Sequence, residues 1–397
     1  MMPDRARVES ARLATLAVFF INGAVFASWA ANIPAVRARL NLNPATLGFV
    51  LLSIAIGSVA ALLVTGRLID RFGSRRVMGV ASISFSVLLP LALQAPSVLA
   101  LVPLLIIFGA SSSAMDVAMN AHGVLVEGKL KRPIMSSLHA LFSCGALIGA
   151  GAASLTLSAG LTPQAYTLGM AVLLVGLAAW ALPRALPGSE DRGQAKGGPA
   201  LVFPTGALLG MAVLVLLSYV GEGAIADWSA VYMRDSLGVA PGLAAAGYTA
   251  FALAMTISRF MGDYLRARMP AVTLLRLSGG LAAVGLGAAL LIEHPVAALV
   301  GLACAGFGFA NVVPVLFSAA GRVPGIPAGT AIAAVASTGY LGFLAGPPVI
   351  GLLAQAFTLR AALVVVVTFA ALIALLAGWV RRATDTPATP LDAPTNA

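Results

Sequence analysis

Asp116, Asn120 and His122 interrupt the apolar stretch Gly109-Ala-Ser-Ser-Ser-Ala-Met-Asp116-Val-Ala-Met-Asn120-Ala-His122-Gly123. Residues four apart share a helical face, so Asp116 and Asn120 are neighbours. Among Ser113, Met115 and Met119 the charged form of a carboxyl is disfavoured. A carboxyl that is neutral when occluded and ionised when wetted can carry a proton. Asn120 could position Asp116 or a ligand, and His122, nearer the end of its run, is accounted for by water access. The alternative for Asp116 is a packing hydrogen bond. An ion pair is disfavoured because no Lys or Arg sits mid-run in the first half of the chain.

A second acidic pair, Glu222 and Asp227, occupies the run Tyr219-Val-Gly-Glu222-Gly-Ala-Ile-Ala-Asp227-Trp228. Five residues are about 140° of helical rotation, so the two acids cannot face one point. Glu222 lies deeper and is the better cavity or proton-coupling residue; Asp227, beside Trp228, suits an interface or gate. His139 could offer an imidazole donor and acceptor to a hydroxyl or carboxylate. Asn22, Trp29, Asn32, Asn311 and Tyr340 are further candidates for lining a polar cavity, since amides and aromatic faces recognise polyhydroxy ligands. Asn311, with Pro314, also marks a helix irregularity.

The elements that must position these groups follow from composition. The 397 residues are 60% hydrophobic and 10% charged, with mean hydropathy +0.98. A water-soluble domain carries about 25% charged residues, so most of this chain belongs in a lipid bilayer. Apolar runs fall at about 13–35, 44–66, 77–95, 98–126, 134–158, 164–183, 205–232, 243–263, 271–292, 296–319, 326–354 and 360–380. Each is long enough for a spanning helix of roughly 20 residues, which predicts an all-α membrane protein of twelve transmembrane helices. The polar interruption 184–204 reads as a linker between a six-helix bundle at 1–183 and another at 205–382, and 383–397 reads as a disordered tail. Cys144 and Cys304 lie in apolar runs and read as small packing residues.

The net charge of +10 is spread over short clusters between runs, the pattern of a topology signal and not of a nucleic-acid surface. Twenty of the 24 Lys and Arg residues fall on the side that would carry both termini, leaving Arg37, Arg39, Arg234 and Arg360 opposite. That asymmetry orients the termini toward the cytoplasm. The halves also echo each other: Gly66-Arg67-Leu-Ile-Asp70-Arg71-Phe-Gly73 follows the second run, and Ser258-Arg259-Phe-Met-Gly-Asp263-Tyr-Leu-Arg266 follows the eighth. His139-Ala-Leu-Phe142-Ser-Cys-Gly145 is mirrored by Tyr340-Leu-Gly-Phe343-Leu-Ala-Gly346. Two such halves can rock about a site held between them, as alternating access requires.

On these residues the chain resembles the major facilitator superfamily over nearly its whole length. The most specific mark is Gly66-Arg67-Leu68-Ile69-Asp70-Arg71-Phe72-Gly73-Ser74-Arg75-Arg76. The resemblance implies that Gly66, Arg67, Asp70, Arg71, Gly73 and Arg75, with Arg259 and Asp263 in the degenerate copy, form a cytoplasmic gate of inter-helix ion pairs. The seventh- and eleventh-run motifs further resemble the YbjJ-type proteins of the bacterial inner membrane, and these are similar to the fucose:proton symporter group. There the fourth helix carries a Glu-Thr-Ala-Ala-Asn motif, in whose place stands Asp116-Val-Ala-Met-Asn120. The sugar symporter's first-helix Asp is matched here by the amide of Trp29-Ala-Ala-Asn32-Ile-Pro34.

No phosphate-binding loop, metal-spaced His/Cys cluster or nucleophile triad is recognisable in the sequence, so no enzyme, cofactor or metal is expected. A proton gradient then supplies the energy. The expectation is a monomeric, multi-pass, proton-coupled symporter of a small polar solute, sugar-like or an organic acid. A drug or metabolite efflux antiporter is the first alternative; the fifth run lacks the Gly-Pro motif of many antiporters, which favours import. A non-transporting membrane sensor is the second. The intact gate loop, the buried acids and the lack of an appended soluble domain weigh against it.

Overall fold

A computed structural model of the chain describes residues 2–131, 134–190, 204, 207–320, 323 and 328–380. The described residues are all-helical or in connections: α1 (Met2–Arg39), α2 (Pro44–Phe72), α3 (Ser74–Gln94), α4 (Val98–Leu130), α5 (Met135–Ser158), α6 (Pro163–Ala181), α7 (Ala207–Val231), α8 (Pro241–Arg268), α9 (Ala271–Ile292), α10 (Pro295–Phe309), α11 (Val312–Ala320), α12 (Ala328–Ala356) and α13 (Leu359–Leu376). The tenth span is broken, with α10 and α11 meeting at Asn311, so thirteen helices make twelve crossings. Among the described residues, eleven helical spans are long and apolar enough to cross a membrane, and Leu344–Ala356 of α12 is a shorter apolar segment. The tail beyond Val380 and most of the linker lie outside the described residues.

Helix starts at one face of the bundle share a chemistry. Asn43, Ser97, Thr162 and Thr358 each accept a hydrogen bond from a first-turn backbone N–H, and Pro44, Pro163, Pro241 and Pro295 occupy first helical positions. These caps satisfy donors that a helix cannot pair internally. This capped end is called the far face; the other, where α1 begins and the α2–α3 and α4–α5 connections lie, is the basic face. At the basic face α1, α2, α4 and α8 outrun their apolar cores, because charged side chains there can stay in water.

The helices form two pseudo-symmetric six-span bundles. Within the first, α1 packs on α5, α2 on α4 and α3 on α6; within the second, α7 packs on α12, α8 on α10 and α9 on α13. The first helix of each carries a related segment ending in a fully buried tryptophan, Trp29 on α1 and Trp228 on α7. Glycines set the close approaches. A Cβ at Gly23 would lie 2.0 Å from the Phe142 carbonyl oxygen, one at Gly145 2.1 Å from that of Phe20, and one at Gly149 2.4 Å from that of Ala24. Backbones meet there as small residues in membrane helices permit.

At the basic face the first bundle is latched by the start of the linker. Gly73, at φ +81°, has no room for a side chain because Gly188 lies against it. His122 is fully buried, which corrects the expectation that water accounts for it. Its Nε2 accepts from the Leu186 N–H (3.2 Å), so Nδ1 carries the proton toward Ser74 Oγ (2.8 Å). Glu190 pairs with Arg7 and Lys129, tying α1 and α4 to the same segment.

The bundles join each other at the far face. Gly48 of α2 abuts Pro347, Pro348 and Gly351 of α12; Ser154 Oγ of α5 donates to the Gly242 carbonyl of α8 (2.8 Å); Arg37, near the end of α1, pairs with Asp235 in the π-helical turn Tyr232–Ser236 after α7.

Replacing Gly145 by Leu should therefore lower the thermal stability of the purified protein, by about 2 kcal/mol or more as an overpacked core does. Leu at Gly176, which meets nothing within 4 Å, should leave the melting temperature in place. Equal melting of the two variants would refute the α1–α5 contact.

Candidate functional site

Two polar clusters lie at mid-depth, and the second of them crosses between the bundles. The first is on α4. Asn120 Nδ2 donates to the Asp116 carbonyl oxygen (2.8 Å) and to its carboxylate Oδ1 (3.2 Å), so the amide holds the carboxyl as the i,i+4 spacing predicts. Both side chains are half-buried. On the neighbouring face Asn22 of α1 is buried against Met119, its amide 3.7 Å from the sulfur.

The second cluster is assembled from α5, α7 and α8. Glu222 Oε1 accepts from Ser218 Oγ one turn earlier (3.0 Å), and its Oε2 is 3.8 Å from Arg259 Nη2. Arg259 Nη1 in turn lies 3.3 Å from Ser143 Oγ on α5, crossing from the second bundle to the first. His139, one turn before Ser143, is exposed and meets Phe19 of α1 edge-on. The Arg259 charge acts on His139, Glu222 and Tyr248, and Tyr248 also feels Asp227 and Glu222. Arg259 is 38% exposed and Glu222 15%, so the guanidinium stands at the wetter edge of the pair.

Arg259 thereby leaves the gate in which the sequence reading had grouped it. It lies within the apolar part of α8, and its partly exposed side chain reaches Glu222 of α7 and Ser143 of α5. The signal was available: Arg259 falls four residues inside the apolar run 243–263. Its place is fixed by Asn311, which is buried and donates to Ser258 Oγ (2.9 Å), while Ser258 Oγ donates to the Phe307 carbonyl (2.9 Å). The expected irregularity at Asn311 is present, but its amide holds α8 and does not face a cavity.

Three more of the cavity candidates are buried. Trp29 packs on Phe108, and Asn22 is taken up by Met119, in both cases because that face of α1 lies against α4 of its own bundle. Asn32 donates to the Ser28 carbonyl (2.8 Å) and borders a separate far-face cavity of about 390 Å³, walled by Pro34, Leu157, Thr162, Arg234 and Pro241 among others. The Tyr340 and Asp263 side chains lie outside the described residues. In the gate loop, Gly66 faces open space, Arg67 and Arg71 are exposed, Asp70 and Arg75 are half-buried, and Gly73 serves the linker latch. Asp227 lies beside Trp228 below the Arg37–Asp235 seam.

The Major Facilitator Superfamily model matches residues 14–341. The chain belongs to that superfamily. It is 39% identical over 356 residues to an uncharacterized MFS-type transporter of Yersinia pestis, covering 89% of this chain and 91% of the relative. Among solved structures, a D-xylose-proton symporter aligns with a TM-score of 0.74 at 15% identity, covering 93% of this chain and 97% of that one. A nucleoside transporter, NupG, aligns at 0.70 and 15%, covering 94% and 99%. At that identity the structures share the fold alone. The names of these three do not support the narrower YbjJ-type and fucose:proton resemblance, which rests on its motifs.

With the bundles joined at the far face and His139 exposed, access should be one-sided. In a chain with Cys144 and Cys304 changed to Ala, His139→Cys should react faster with a membrane-impermeant maleimide added at the basic face than at the far face. Equal rates would contradict the closed far face.

Proposed function

We propose that the protein is a proton-coupled symporter that carries a small polar solute, sugar-like or an organic acid, across the bacterial inner membrane by alternating access. The observation that carries this reading is the mid-depth Glu222–Arg259–Ser143 cluster, which crosses between bundles whose close seams lie at the far face. Charged groups are expensive at that depth and are kept where they bind or move something. The far-face seams, together with exposed Arg259, His139 and gate arginines, describe a carrier open to its basic face. The charge asymmetry supports a cytoplasmic place for that face and for both termini.

Asp116 and Glu222 are the proton carriers in this reading. Each is a carboxyl held by a neutral partner on its own helix, Asn120 or Ser218, which can bond either protonation state. When the bundles, 1–183 and 205–382, rock about the site, each acid exchanges an occluded setting for a wet one. The gate loop would close the basic face in the opposite state, and the far-face seams would part. The likeness of the fold to a xylose-proton symporter and a nucleoside transporter, and of Asp116-x-x-x-Asn120 to the fourth-helix motif of the fucose:proton group, supports a polar solute moved with protons.

The test is solute-driven proton movement in proteoliposomes containing a pH-sensitive dye, surveyed with sugars, polyols, nucleosides and small organic acids. At least one class should drive proton entry in the wild type, and Asp116→Asn should reduce it to the level of empty vesicles while the protein stays folded. Undiminished proton movement in Asp116→Asn would remove Asp116 from the mechanism.

A further inference from the structure

The geometry points to a solute that carries a carboxylate, taken by Arg259 in exchange for Glu222. This inference rests on the transporter reading above and names the solute class at the same site. A guanidinium cannot give up its proton at any physiological pH and offers five N–H donors in a fixed fork. Here that fork is thinly used. One nitrogen meets a neutral hydroxyl, Ser143 Oγ, at 3.3 Å, and another meets a single Glu222 oxygen at 3.8 Å, the long end of an ion pair. A carboxylate fits such a fork with two parallel hydrogen bonds, a stronger arrangement than the one present.

The coupling chemistry points the same way. For Glu222 to take up a proton, its charge must vanish while that of Arg259 stays. The guanidinium would then stand without a counter-charge inside the bilayer, which is costly. A neutral polyol cannot supply that charge. A carboxylate can, and the balance closes: one anion enters the site, one proton adds to a Glu222 oxygen, and the net charge of the cluster is unchanged. Glu222 keeps its Ser218 hydroxyl partner after leaving Arg259, so the exchange orphans neither group. The remaining titratable groups that feel the Arg259 charge are His139 from α5 and Tyr248 from α8, and Asp227 of α7 acts on Tyr248. His139 and Ser143, on one face of α5, stand ready for hydroxyls of the same solute. Because Arg259 belongs to the second bundle and Ser143 to the first, a solute bound here bridges both.

The experiment measures binding to the full-length protein in nanodiscs, by thermal shift and calorimetry, using matched probes at constant ionic strength: gluconate, glucitol and glucosamine, then glycerate and glycerol, then lactate. At least one acid should bind the wild type more tightly than its polyol. Arg259→Gln should weaken it roughly tenfold or more, as loss of a charge-assisted hydrogen bond does. Arg259→Lys, should the Gln variant fail to fold, should retain part of the binding. Glu222→Gln should bind the acid at least as well as the wild type, with a flatter pH dependence, because competitor and titrating group are gone together. A merely structural Arg259–Glu222 pair would instead lose binding in both variants. The assignment is overturned if no acid binds, if polyol or amino sugar binds as well as the acid, or if Arg259→Gln leaves binding intact. Polyol-driven proton movement that survives Arg259→Gln would defeat the carboxylate and spare the transporter; no solute-driven proton movement by any probe would defeat the transporter reading itself.

Discussion

A guanidinium held at bilayer depth must keep a counter-charge, and the placing of Arg259 organises much of the interior around it. Its helix is pinned one residue earlier, where Asn311 and the Phe307 carbonyl share the Ser258 hydroxyl. That pinning uses the break between α10 and α11, so a helix interruption in the tenth span sets the position of a charge on the eighth. Glu222 stands opposite on α7, steadied by Ser218, and Ser143 comes from the other bundle. The result is a charge shared across the surface along which the two bundles must move.

Close backbone approaches at glycine occur both inside and between the bundles, and the polar pairs are what differ. Within the first bundle, Gly23, Gly145 and Gly149 bring backbones to contact, and His122 pairs at both ring nitrogens in a fully buried site. Buried polar groups so satisfied are costly to separate. Between the bundles, the far-face seams combine a partly exposed ion pair, a hydroxyl–carbonyl bond and close backbone approaches at Gly48, Gly242 and Gly351. Partly exposed ion pairs contribute little each. Such an interface can part and reform without unfolding either bundle, as alternating access demands.

The limits of sequence reading show at particular residues. The apolar run 271–292 became α9 with the same bounds, and Asn120 bonds Asp116 as a four-residue spacing on one helix requires. Trp29, Asn22 and Asn32, by contrast, lie on a helix whose type and span were plain but whose rotation within the bundle was not, and all three turned inward. His122 drew its partners from Leu186 and Ser74, distant in the chain.

The sequence by itself determined the number of crossings, the asymmetry of charge between the two faces, the superfamily and the Asp116–Asn120 pair. All of these follow from local periodicity, from the length needed to span hydrocarbon, or from motifs contiguous in the chain. Only the tertiary structure decided that Arg259 faces Glu222 and Ser143, that the bundles meet at the far face, and that Asn22 and Trp29 on α1 are packed away. These depend on how each helix is rotated and which neighbour it meets, and in helices that are apolar on both sides the hydrophobic pattern barely distinguishes a lipid-facing side from a protein-facing one.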